Sequence, residues 1–206
     1  MQIDGSAFVI TGAASRFGAA VARMIVDEGG RVGLIDLDEA AGKKLEAELG
    51  DSDLFLKTDV AAPVEIQRGI DMCAAHFGGI DGAVCCAAAR DEPRPDETSV
   101  AGLARFADAV NVGLAGAFTV GQLAAQAIGR RDLDEDSERG VIVLSALLSV
   151  GETSAGLATR AAGKSTRRLR LAHPTSLRAP SLRRRRRALL VRPSSRASCG
   201  TFAKIV

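Results

Sequence analysis

Two short stretches of this 206-residue chain hold residue types at spacings that could do chemistry. The first is TGAASRFG at residues 11–18, with glycines at 12 and 18 just after an apolar, β-branched run. A glycine there permits a tight turn, and the free N–H groups and positive dipole end of a following helix can hold a pyrophosphate. Asp36 closes the next apolar run. A carboxylate at that place accepts both ribose hydroxyls of NAD and repels the 2′-phosphate of NADP. The bland alternatives are turn-forming glycines and a solvated loop acid. The second stretch is GLATRAAGK at 156–164, which sets Lys164 four residues after Arg160. Proton transfer needs a group that titrates near neutral pH, and an arginine, with pKa above about 12, does not. The chain contains no tyrosine to take its place.

The elements that must position these residues read clearly through about residue 150. Ala7–Thr11 (AFVIT) is a strand; Phe17, Val21, Met24 and Ile25 then recur at helical spacing until Gly29-Gly30. Arg31–Ile35 is a second strand, 38–49 a helix closed by Gly50, and Leu54–Lys57 a third strand. Ile66, Ile70, Cys73 and Phe77 mark the next helix, 82–86 (GAVCC) a fourth strand, and 91–98 a proline-bearing loop. Leu103, Phe106, Val110, Leu114 and Phe118 make a long helix, and Val141–Leu144 a fifth strand. Short, continuously apolar strands alternating with helices predict an α/β fold. The expected architecture is a Rossmann-type, doubly wound parallel sheet with ligands at the carboxyl ends of its strands, truncated after the fifth strand.

The charge pattern divides the chain. Residues 1–164 carry 15 basic and 25 acidic residues, and residues 165–206 carry 12 basic and none acidic. The expected organisation is therefore an NAD-binding domain over 1–164 and a basic, poorly structured tail over 165–206. Prolines at 174 and 180 break any helix there, and only 188–191 (ALLV) has the look of a strand. Four cysteines, Cys73, Cys85, Cys86 and Cys199, have no CxxC spacing, so buried thiols in a reducing, cytoplasmic setting are expected and a metal site is not. No secretory segment is read at the start, and the longest apolar run, 141–150, is too short to span a membrane.

TGAASRFG, Asp36, Asp59-Val60, the CCAA of 85–88, NVGLAGAF from Asn111 and Lys164 together resemble the short-chain dehydrogenase/reductase family over residues 7–164. RGVIVLSA, after an acidic loop, is similar to the branch that includes 3-hydroxyacyl-CoA dehydrogenases. The resemblance implies an NAD-dependent oxidoreductase acting on a hydroxyl or carbonyl of a small or acyl-CoA-like substrate, usually as a homo-oligomer. It implies that Gly12, Ser15, Phe17 and Gly18 form the phosphate turn and that Asp36 holds the adenosine ribose. By the same likeness Asp59 and Val60 contact adenine, Cys86 the ribose region, Asn111 a relay water and Lys164 the nicotinamide ribose. Three departures stand out. Arg16 replaces the second glycine of the turn, where a side chain crowds the cofactor or swings out to meet a phosphate. Anchored on Lys164, Arg160 occupies the family's tyrosine position and Leu147 its serine position. Ser145 and Ser149 are the candidates for a displaced serine.

Three functions follow. One is an oxidoreductase by lineage, impaired because its serine and tyrosine are missing; another is an NAD-binding remnant without catalysis. The third is a binding module whose Arg183–Arg187 run engages nucleic acid or an anionic surface, though no aromatics are interleaved there. From about residue 147 the composition also fits out-of-frame reading of GC-rich DNA, an expectation that the bases across codons 140–206 would decide.

Overall fold

In a computed structural model the described residues are 2–50, 53–89, 100–134 and 137–147, with the pairs 169–170, 189–190, 201–202 and 204–205. Five strands, β1 (Ala7–Thr11), β2 (Arg31–Asp36), β3 (Leu54–Lys57), β4 (Gly82–Cys85) and β5 (Val141–Leu144), lie parallel in the order β3-β2-β1-β4-β5. Every residue of β1 is buried, as a central strand covered on both faces must be. Successive side chains alternate between two cores. Val9 joins Ile35, Ile66, Ile70 and Val120 on one face, and Phe8 and Ile10 join Val21, Ile25 and Leu34 on the other.

The helices begin and end where local chemistry dictates. Helix α1 (Arg16–Asp27) is N-capped by Ser15, whose Oγ accepts the Gly18 N–H at 3.0 Å. Helix α2 (Glu39–Leu49) is capped by Asp38, which accepts the Ala41 N–H at 3.1 Å. Helix α3 (Pro63–Phe77) opens on a proline, whose missing N–H costs nothing there, and stops at left-handed Gly78. Helix α4 (Val100–Val110) runs through a six-residue π-helical stretch, Asn111–Gly116, into α5 (Ala117–Ile128).

Among the described residues this run, Val100–Ile128, is the one helix long and apolar enough to cross a membrane. Its inner side buries Val120, Ala124 and Ile128 against the sheet, whereas Leu103, Leu114 and Phe118 stay exposed.

Among the described residues the last parallel strand is β5, and beyond it the sheet gains a two-residue antiparallel strand, β7 (Leu169–Arg170). Before it in the chain, β6 (Ala146–Leu147) pairs with β9 (Thr201–Phe202). The ALLV stretch does contain a strand, β8 (Leu189–Leu190), but it pairs with β10 (Lys204–Ile205) rather than extending the main sheet.

Asp81 ties the sheet's lower rim together. Its Oδ2 accepts the Ala7 N–H at 2.9 Å, and its Oδ1 takes Arg131 Nε at 2.9 Å and the second guanidinium nitrogen at 2.8 Å. Arg131 also donates to the Gly78 carbonyl. Asp81 is mostly buried, so Arg131→Ala leaves a carboxylate short of its charge partner, at a cost of about 2 kcal/mol. We expect a thermal midpoint roughly 4–8 °C lower by circular dichroism; an unchanged midpoint would contradict this account.

Asp53 introduces a different bias. Its Oδ1 accepts the Val32 N–H at 3.0 Å, while its Oδ2 is buried without a partner. Burial pushes its carboxyl up from the ordinary Asp value, and nearby Glu46 adds to this against the opposing Val32 bond. A raised folded-state pKa contributes stability that is complete below the unfolded value near 4 and lost as pH rises through the folded one. Asp53→Asn should therefore raise the melting temperature at pH 7, by a margin that shrinks as the pH approaches 4. A margin independent of pH would refute the assignment.

Candidate functional site

The strand order reverses between β1 and β4, and the crevice this opens at their carboxyl ends holds a cavity of about 680 Å³. Its floor is a close approach of two chain segments. Gly12 has φ of +66°, and a Cβ there would lie 2.6 Å from the Ala87 N, so only glycine lets the β1 turn pass the end of β4. Gly18, on the first turn of α1, packs against the backbone of Gly12 and Ala13 and brings the helix onto the strand.

Asp36 sits half-buried at the end of β2. Its Oδ2 accepts the Ala14 N–H at 3.0 Å and its Oδ1 the Asp38 N–H at 2.9 Å. On the far wall, Asp59 accepts the Ala61 N–H at 2.8 Å, and its own N–H donates to Glu65. Val60 is buried beside it. The carbonyl of Val60 meets the helix at Gly116, where a Cβ would come within 2.7 Å. Cys86 closes the end of β4 with its N–H on the Thr11 carbonyl at 3.0 Å. The neighbouring Cys85 thiol is pushed up to about 12, chiefly by burial, so it stays protonated and is no nucleophile at neutral pH. Cys73 and Cys86 are also buried and in no disulfide; Cys199 lies outside the described residues.

Of the residues singled out from sequence, Gly12, Ser15, Asp36, Asp59, Val60 and Cys86 line this cavity together. Gly18 supports it from beneath, and Phe17 packs, half-buried, against the core cluster that includes Phe8. Arg16 is the first residue of α1, exposed, and is not among the lining residues. Asn111 is also exposed and does not line the cavity; Val112 does, and Gly113 is buried behind it. Ser145 is half-buried, and its N–H donates to the Cys85 carbonyl at 3.1 Å. Leu147 belongs to β6, while Ser149, Arg160 and Lys164 lie outside the described residues. Sequence reasoning missed Arg105 and Asp108, which reach the cavity from α4, and Leu37, which is half-exposed on its rim.

Among the described residues the rim carries Asp36, Asp38, Asp59 and Asp108 against one arginine, Arg105. Carboxylates suit neutral hydroxyl donors and disfavour a second phosphate. The site's shape therefore fits the adenosine half of a dinucleotide: a glycine-floored turn at a helix N-terminus, a carboxylate with acceptor capacity, and an apolar wall at Val60.

The profile of a family described as short chain dehydrogenase matches residues 6–165. The chain belongs to the short-chain dehydrogenase family. Within that family it is 32% identical over 166 residues to 3-hydroxyacyl-CoA dehydrogenase type-2 of Rattus norvegicus, and 31% identical to that of Homo sapiens. Each match takes in 79% of this chain and 64% of the relative, so the chain spans a little under two thirds of their length. The crystal structure of 3-hydroxyacyl-CoA dehydrogenase type-2 from Mycobacterium avium superposes with a TM-score of 0.63 at 28% identity. That superposition covers 77% of this short-chain dehydrogenase chain and 65% of the other.

Proposed function

We propose that this chain descends from NAD-dependent oxidoreductases, binds NAD in the crevice between β1 and β4, and turns it over poorly or not at all. The observation that carries the cofactor reading is Asp36, whose carboxylate stands at the end of β2 beside the glycine turn with both oxygens already aimed by backbone N–H groups. Gly12, Ser15 and the start of α1 would hold the pyrophosphate. Asp36 would accept the ribose hydroxyls, Asp59 and Val60 would flank adenine, and Cys86 would face the ribose region. When bound, the cofactor supplies a nicotinamide that carries hydride to or from a hydroxyl or carbonyl carbon.

The names of the relatives support a 3-hydroxyacyl-CoA or similar small hydroxyl compound as the ancestral substrate. The chain's own residues argue against efficient turnover. Lys164 has no phenol to act on, because Arg160 occupies the tyrosine position and the chain has no tyrosine at all. Leu147 at the serine position has no hydroxyl to polarise a carbonyl. Asn111, offered as the relay residue, is exposed outside the cavity. A cytoplasmic setting and the homo-oligomeric state usual in the family accompany this reading.

Titration of the full chain with NADH and with NADPH, followed by nicotinamide fluorescence, tests it. Tighter binding of NADH, by about 10-fold or more, is expected from the carboxylate-rich rim. Equal affinities, or tighter NADPH, would overturn the assignment of Asp36.

A further inference from the structure

We infer that Asp36 is a positioning residue that builds the glycine turn itself, before any cofactor arrives. This inference shares its cavity with the NAD reading but does not need a bound nucleotide. One carboxylate spans two turns that are remote in sequence. Oδ2 holds the Ala14 N–H, 22 residues away, at 3.0 Å, and Oδ1 holds the Asp38 N–H at 2.9 Å. The Asp36 carbonyl meanwhile accepts the Thr58 N–H at 3.0 Å, so the residue joins the three loops around the adenosine side of the cavity.

The turn has few other tethers. Ala13 N–H reaches the Ile35 carbonyl at 3.2 Å, and Ser15 N–H closes on the Gly12 carbonyl at 3.1 Å. The Ala14 N–H lies between them, and its acceptor is the Asp36 side chain. Hydrogen bonds to an ionised acceptor are shorter and stronger than neutral ones, so this bond is the turn's firmest link to the sheet.

The lone-pair arithmetic is also favourable. A carboxylate offers about four acceptor sites, and two are used here, leaving one on each oxygen. The two that remain equal in number the two donors of a ribose diol. It follows that exchanging Asp36 for serine or arginine, to admit a 2′-phosphate, would remove the acceptor that shapes the phosphate turn.

Backbone amide exchange on the cofactor-free full chain tests this directly. In Asp36→Ala, the Ala14 and Asp38 amides should exchange at least about 10-fold faster, while Ile10 and Leu34 change less than about twofold. A folded Asp36→Ala with unaltered Ala14 exchange overturns the proposal. Should that variant not fold, Asp36→Asn decides. It retains one carbonyl acceptor and turns an NH₂ toward the other donor, so one of the two amides should lose protection; protection of both as in the parent overturns the clamp. A parallel NADH titration separates the two readings. Accelerated exchange without NADH binding by the parent removes the cofactor reading and leaves the clamp. NADH binding with unaltered exchange removes the clamp alone.

Discussion

A Gly12→Ala chain is expected to lose NADH binding by at least about 10-fold and to melt roughly 6–12 °C below the parent. Two effects add at this position. The backbone sits at φ of +66°, where a Cβ costs about 1–2 kcal/mol. That Cβ would also lie 2.6–2.8 Å from Ala87 N, Ala87 Cα and the Cys86 carbonyl carbon. These are backbone atoms at the end of β4, which cannot move aside as a side-chain tip can, so overpacking adds about 1–3 kcal/mol. A total near 3 kcal/mol gives the thermal shift stated, at roughly 2–4 °C per kcal/mol for a chain of this size. The binding loss follows because relief of the clash moves the turn that floors the cavity. Differential scanning calorimetry and NADH fluorescence check the two halves independently. A stable variant that binds NADH like the parent would mean that the Gly12–Ala87 approach does not form the site.

The second large effect concerns the chemical step. A positioned general acid–base contributes about 10²–10⁴-fold to a proton-coupled reaction, and a donor that stabilises developing charge on oxygen about 10²–10³-fold. On the proposed reading, with Arg160 and Leu147 at the two positions, neither residue supplies its contribution. Reduction of acetoacetyl-CoA by NADH needs both a hydride and a proton for the new hydroxyl, and the chain has no phenol to deliver that proton. We expect formation of 3-hydroxybutyryl-CoA at least about 10⁴-fold slower than in a family member with the full set. At saturating NADH we also expect no further fall on Lys164→Ala, since the phenol that lysine would activate is absent. Mass-spectrometric detection of product over a long incubation measures both. A clear loss of rate in the lysine variant would show that Lys164 acts through some other group.

The sheet was legible because burial on both faces leaves a simple mark: five short, mostly apolar runs separated by glycine-stopped helices. The turn at Gly12 and the carboxylate at Asp36 were legible because each sits at a fixed offset from a strand end. What was not legible depended on tertiary docking. Asn111 was placed by resemblance alone, and it falls at the start of the π-helical stretch Asn111–Gly116, whose wider turns depart from α-helical spacing. Val112 lines the cavity instead. Arg105 and Asp108 carry no local signal, since the face that α4 turns to the cavity is set by how the helix seats on the sheet. Phe17, read as a phosphate neighbour, has enough apolar surface to be drawn against the core cluster that includes Phe8. Two-residue strands such as Leu169–Arg170 are too short for any periodicity to announce them.

NADH fluorescence, followed in one cuvette before and after acetoacetyl-CoA is added to the full chain at pH 7, bears on the whole account most directly. The account predicts a saturable signal from bound NADH that then stays level, with no decay above the protein-free rate. A decay that scales with protein concentration would contradict it.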